Sequence, residues 1–184
     1  MFKIESCSII DVKLITPQLY PDERGLFFEN YKFSELESFG LPIFVQDNVS
    51  KSGKNVLRGL HLQLEPFEQG KLVSILKGKV LDVCVDLRPR SKSFLSYFST
   101  ILDDQDHKML YVPPGFAHGF YTLSDENIML YKNTIEYNPS YEVGLLWNDP
   151  ELSIEWPSAS PIISDKDSKL LSLEKFRKKY LSNE

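Results

Sequence analysis

The sequence predicts an all-β fold, a jelly-roll barrel with short flanking helices that include one at the C-terminus. Three observations predict it. Short apolar runs recur through the middle of the chain at the length and spacing of strands. Gly, Pro, Asn and Asp break them at regular intervals. The 184 residues suffice for one domain with a full core, read as 1–184. Many short strands at this spacing define a sandwich or a barrel.

Taken in order, strands are expected at 57–64, 72–76, 80–87, 94–102, 109–112, 116–123 and 128–135. Lys77-Gly78 reads as a tight hairpin, and Pro113-Pro114-Gly115 and Ser124-Asp125-Glu126-Asn127 read as turns. Two helices are expected. One covers 33–39 with Ser34 as its cap. The other covers 168–181, where Leu170, Leu173, Phe176 and Tyr180 recur at helical spacing. Lys175, Arg177, Lys178 and Lys179 then form its solvated face and suit a helix C-terminus.

Composition bounds the function. Hydrophobic residues make up 42% and charged residues 26%, as in soluble globular chains. A net charge of −5 argues against a nucleic-acid or anionic-membrane partner. A local Arg and Lys cluster can still hold a small phosphorylated ligand. No apolar run reaches the roughly 18 residues of a membrane span. Residues 1–11 lack the plan of a signal peptide. Cys7 and Cys84 are too few and too far apart for a disulfide framework or a zinc site, so a reducing cytoplasm is expected. Cys84 reads as a buried free thiol.

Alternation along a strand sorts the polar residues. His61 and Gln63 share one face of their strand, with Leu60, Leu62, Leu64 and Arg58 on the other. Tyr131 shares a face with Asn133. Asp82, Cys84 and Asp86 share another, and His118 lies between Phe116 and Phe120. In a closed barrel one face packs and the other lines a cavity. Arg58, His61, Gln63 and Lys71 fall close together, and such groups are costly to bury without a ligand or partners. His107, in the run Asp103-Asp104-Gln105-Asp106, reads as a surface loop residue.

Many barrels of this kind, the cupins, bind a transition metal through two histidines two apart, a Glu, and a later Pro-x-Gly-x-x-His element. The last stands here as Pro113 to His118. His61 is followed by Leu62-Gln63, so the second histidine is missing. No metal is expected.

Ten blocks then identify a resemblance. They are Asp22-Glu23-Arg24-Gly25 with Phe28-Glu29; Phe44 to Asn48; Leu57 to His61; Gln69 to Val73; Asp82-Val83 with Val85-Asp86; Val112-Pro113 with Gly115 to Phe120; Leu130 to Lys132; Leu146 to Pro150; Ile154 with Trp156-Pro157; and Ser164 with Lys166-Asp167. In this order they resemble the dTDP-4-dehydrorhamnose 3,5-epimerase family over nearly the whole chain.

The resemblance implies a cupin-like barrel, usually a homodimer with shared N-terminal strands. It also implies inversion of C3 and C5 in a nucleotide-diphosphate sugar, a dTDP-4-keto-6-deoxy-hexose, without metal or redox cofactor. The 4-ketone acidifies the hydrogens on both carbons. Inversion needs a base on one face, a stabiliser for the enolate oxygen, and an acid on the other face. By resemblance His61 is the base, Asp167 its partner, Lys71 the stabiliser and Tyr131 the acid. Arg24 and Arg58 hold the diphosphate. Glu29, Gln46, Asn48, His118, Glu142 and Lys166 fill the remaining ligand-contact positions. Asp82 is expected to brace Lys71 or His61.

The chain departs from the family in one place that touches the base. Two tyrosines usually precede the proline at 139, and here the stretch is Glu136-Tyr137-Asn138-Pro139. Pro114 and Leu62 are milder departures. The competing readings are another nucleotide such as CDP, inversion at one carbon, a metal-dependent cupin, and a silent sugar-binding barrel. The last would be expected to lose His61, Tyr131 or Asp167.

Overall fold

Strands with one apolar face must bury it against another layer, and here they build two facing sheets. The computed structural model describes residues 1–181. Four strands come first: β1 (Phe2–Ser6), β2 (Lys13–Pro17), β3 (Leu19–Asp22) and β4 (Gly25–Phe28). Helix α1 (Phe33–Ser38) precedes β5 (Gln46–Ser52), β6 (Leu57–Gln63), β7 (Lys71–Lys77) and β8 (Lys79–Asp86). Then come β9 (Tyr97–Asp103), β10 (Met109–Val112), β11 (Phe116–Thr122), β12 (Asn127–Asn133), β13 (Glu142–Gly144) and helix α2 (Leu173–Phe176).

Six strands run in the order β1-β2-β10-β7-β12-β5, five in the order β13-β6-β11-β8-β9, and β3-β4 forms a hairpin apart. The sandwiched core takes Val73 and Ile75 from β7, Cys84 from β8, Leu110 and Val112 from β10, Phe116 and Phe120 from β11, and Met129 from β12. Burying each large side chain contributes about 1.5–3 kcal/mol. The alternate residues of β6, β8 and β11 face outward, where Leu145, Leu152, Leu173 and Phe176 cover them. Leu36 of α1 caps the other sheet with Leu41, Leu72 and Met109.

The expected all-β jelly roll is present, and four local expectations are corrected. Lys77-Gly78 is not a hairpin between paired strands. β7 and β8 lie in different sheets, and the turn is the corner where the chain crosses. Gly78 sits there at φ +90°, a conformation that favours glycine, and its N–H donates to Asp104 Oδ2 at 2.8 Å. Ser34 caps nothing: α1 starts after Lys32, with no side-chain cap bond. The expected helix over 168–181 is broken. Asp167–Lys169 is a single 3-10 turn, and Leu171 bridges in parallel to Leu145. Ser172 then caps α2, and Arg177–Leu181 widens into a π turn. Pairing with the sheet overrides the helical spacing of Leu170.

The fourth correction concerns Arg58. Along β6 it was expected opposite His61, yet both face the cavity. Opposite β11, His61 pairs with His118 and Arg58 with Phe120, so two residues of β6 stand against Gly119 alone. This bulge reverses the alternation. It needs Gly59 at φ +115°, where a Cβ would lie 2.6 Å from the Gly119 Cα.

Candidate active site

The two inner sheet faces enclose a cavity of about 360 Å³. His61 reaches it from β6 in one sheet and Tyr131 from β12 in the other, so the two stand on opposing walls. Lys71 enters from the start of β7, and Asn48, Arg58, His118, Glu142, Lys166 and Asp167 also line it.

His61 Nε2 lies 2.7 Å from Asp167 Oδ1. The 3-10 turn that carries Asp167 is tied to the sheet, because Asp167 Oδ2 accepts the Gly59 N–H at 3.2 Å. Its own N–H donates to Ser164 Oγ at 3.0 Å. Burial opposes ionisation of Asp167, but the bonds from His61, Gly59 and Ser164 outweigh it and hold the carboxyl below its usual value. A neutral imidazole donating to that carboxylate keeps the lone pair on its other nitrogen.

Lys71 Nζ donates to the His61 carbonyl oxygen at 3.4 Å. Burial pulls its ammonium down to about 8, against the opposing charges of Glu142 and Asp82. On the other wall the Tyr131 hydroxyl lies 3.0 Å from Ser50 Oγ. Burial pushes that phenol well up, so it holds its proton at neutral pH. The rings of His118 and Phe120 flank it, each with centroid 6.3 Å away.

Asp82 braces neither Lys71 nor His61 by contact. Both of its oxygens lie 3.0 Å from His118 Nε2, and burial raises its carboxyl despite that partner. His107 is not free on its loop: its ring stacks on Phe28 at 4.3 Å.

Arg58, exposed at the cavity, donates from Nε to Ser52 Oγ at 3.1 Å and from Nη2 to the Lys51 carbonyl oxygen at 3.4 Å. Glu142 accepts from Lys166 Nζ and from the Tyr137 hydroxyl, the latter at 2.6 Å. Those bonds outweigh burial and keep its carboxyl low, while the Tyr137 phenol rises to about 12. Gln46 stands just behind the wall. It donates to Asn48 Oδ1 at 2.9 Å and accepts the Tyr137 N–H at 2.7 Å.

Two expected site residues lie elsewhere. Arg24 sits on the β3-β4 hairpin and pairs with Asp22 at 2.5 Å. Glu29 lies near the N-terminal amine, 3.5 Å away, and Lys32. Sequence reasoning did not place Ser50, Gln69, Tyr137 and Ser164 in the site, all of which line the cavity. Ser50 had a findable signal, since it shares parity with Gln46 and Asn48. Its strand, Gln46–Ser52, was missed because it holds one apolar residue.

The donor set does not suit a metal ion. His61 and His118 each spend Nε2 on a separate carboxylate. Among the described residues no three His, Cys, Asp or Glu side chains converge as ligands.

An imidazole–carboxylate pair facing a buried phenol across one cavity sets a base and an acid on opposing walls, the arrangement of an isomerase that works by proton transfer at carbon. The family model described as dTDP-4-dehydrorhamnose 3,5-epimerase matches residues 6–175. The chain belongs to that family. The Shigella flexneri dTDP-4-dehydrorhamnose 3,5-epimerase is 47% identical over 161 residues, covering 86% of this chain and 89% of the relative. The crystal structure of the Bacillus anthracis enzyme, with TDP and PPi bound, superposes with TM-score 0.92 at 44% identity, covering 94% and 100% of the two chains. That of the Legionella pneumophila enzyme, in complex with dTDP-4-keto-L-rhamnose, gives 0.91 at 41% identity over 95% and 94%.

Proposed function

We propose that this chain inverts C3 and C5 of a dTDP-4-keto-6-deoxy-hexose by deprotonation and reprotonation beside the ketone, in deoxysugar biosynthesis of the rhamnose type. The opposition of His61 and Tyr131 across one cavity carries the reading. His61, oriented by Asp167, takes the proton from one face of the sugar. Negative charge gathers on the C4 oxygen, where the Lys71 ammonium offsets it. Tyr131 returns a proton from the other face. The steps require neither metal nor redox cofactor. Arg58, Asn48, His118, Glu142 and Lys166 contact the nucleotide and sugar, and Gln46 holds Asn48 and Tyr137 in place behind them.

The departure at 136 leaves an aromatic ring in the wall, since Tyr137 lines the cavity and Glu136 does not.

Arg24 and Glu29 join the site from a second copy in a homodimer. The hairpin exposes Leu26 and Phe27, and edge strand β5 exposes Val49, apolar surface that a partner copy would cover. Among the described residues no helix is long and apolar enough to cross a membrane. The two free thiols, Cys7 and Cys84, fit a reducing cytoplasm.

The test is incubation with dTDP-4-keto-6-deoxyglucose in deuterated water. Wild type is expected to incorporate deuterium at both carbons. His61→Ala loses both incorporations, by about 100- to 10,000-fold. Tyr131→Phe keeps exchange but loses completed inversion. Exchange at one carbon only, or only with another nucleotide, overturns the assignment.

A further inference from the structure

Two inversions by one base and one acid raise a problem of proton supply. Each inversion carries a proton from the substrate to His61 and another from Tyr131 to the substrate. After the first, His61 is protonated and Tyr131 is a tyrosinate, so neither can act again. His61 can discharge directly, because 26% of its side chain is exposed at the cavity. Tyr131 cannot recharge as simply. Its ring is packed between His118 and Phe120, and burial drives its anion to take a proton back from whatever donor can reach it.

One group can serve it. Among the described residues the only hydrogen-bond partner of the Tyr131 hydroxyl is Ser50 Oγ, at 3.0 Å, and either oxygen can donate. Ser50 lines the cavity from β5 and is itself half-buried. It therefore touches the phenol on one side and the cavity space on the other. The Ser50 bond favours the tyrosinate, while the nearby charge of Asp82 opposes it more than that of Arg58 helps.

We infer that Ser50 is the positioning and relay residue that reprotonates Tyr131 between the two inversions. Its hydroxyl hands a proton to the tyrosinate oxygen as it takes one from water. His61 releases its extra proton to solvent. One proton enters, one leaves, and the enzyme returns to its starting state with no other reactant. The inference rests on Tyr131 acting as the acid.

The experiment uses the whole enzyme and dTDP-4-keto-6-deoxyglucose in deuterated water, stopped at early times. NMR reads singly and doubly inverted product and deuterium at each carbon. In Ser50→Ala the ratio of doubly to singly inverted product is expected to fall roughly tenfold, a fraction of a full acid–base contribution because water replaces the hydroxyl imperfectly. Ser50→Thr restores the ratio, and small acidic buffers partly restore Ser50→Ala. A merely structural role would slow both inversions equally and leave the ratio alone. That result overturns the relay. A second measurement needs no variant. In mixtures of light and heavy water the wild-type rate of the second inversion is expected to curve, as two protons move together. A straight line overturns the relay. If wild type fails to exchange at both carbons, the epimerase reading itself is lost; if it exchanges normally and the Ser50→Ala ratio is unchanged, only the relay is lost.

Discussion

The Lys71 ammonium sets an expected upper pH limit for activity. Burial holds it at about 8 despite Glu142 and Asp82 nearby. The protonated fraction is then about 0.9 at pH 7 and about 0.1 at pH 9. Only the cation offsets charge on the enolate oxygen, so kcat/KM is expected to fall roughly tenfold per pH unit above 8. No other residue in the proposed mechanism predicts this fall. A histidine base gains its lone pair as pH rises, and the Tyr131 phenol is pushed well above this window by burial. The assay is kcat/KM between pH 6 and pH 10, which reports the free enzyme. Lys71→Met is expected to lose about 100- to 1,000-fold at pH 7, as when one oxyanion donor is removed, and to flatten the alkaline limb. A wild-type profile flat to pH 10, or a limb that keeps its midpoint in Lys71→Met, refutes the reasoning.

Three further outcomes are expected. Asp167→Asn leaves the imidazole in place with the wrong partner, so kcat drops roughly 10- to 1,000-fold with KM little changed; steady-state kinetics showing a loss equal to that of His61→Ala would contradict this. Prolonged chelation leaves turnover unchanged, and loss of turnover that zinc, iron or manganese restores would show a metal requirement. Asp86, fully buried, accepts Arg88 Nε and Nη2 at 2.9 and 2.7 Å and the Ser91 and Ser93 hydroxyls. Burial opposes its ionisation, but these bonds hold its carboxyl below the ordinary 3.8. Its stability is therefore present above pH 3.8 and lost as pH falls through the lower folded value. Asp86→Ala removes the shared acceptor of Arg88, Ser91 and Ser93, while Arg88 keeps Asp11 at 2.9 Å, and is expected to cost about 1–3 kcal/mol at pH 7 in urea unfolding, with the gap to wild type closing in acid.

Strands with three or more buried residues were legible, because burial imposes their period. β10 was found with its bounds intact, and β6, β7, β8, β11 and β12 within two residues. β9 starts three residues later than expected, and β1 to β5 and β13 were not legible. β5 and the hairpin Leu19–Asp22 with Gly25–Phe28 are mostly polar or exposed, and β1, β2 and β13 each bury only one or two residues, too few to set a period. Sheet membership was equally hidden. A Lys-Gly pair marks a turn whether the chain folds back or crosses to the other sheet, and the difference lies in hydrogen bonds made far away in sequence.

The site divides along the same physical line. His61, Lys71, His118 and Tyr131 sit on strands whose packing faces were readable, and all four line the cavity. Asp167 was named by resemblance alone, since its place depends on a short turn tied to Gly59. The partnership of Asp82 was misjudged because alternation shows which face a residue shares, not which strand lies opposite. His118 is that neighbour only because β8 and β11 pair with Phe120 against Asp82 and His118 against Cys84. Arg58 shows the limit from the other side. Its parity with Leu60 is correct along an unbroken strand, and a single extra residue against Gly119 reverses it. That bulge puts a guanidinium and an imidazole three positions apart on one wall. A charged substrate group and a reacting carbon can then be held by the same strand, which a regular strand with those residues would prevent.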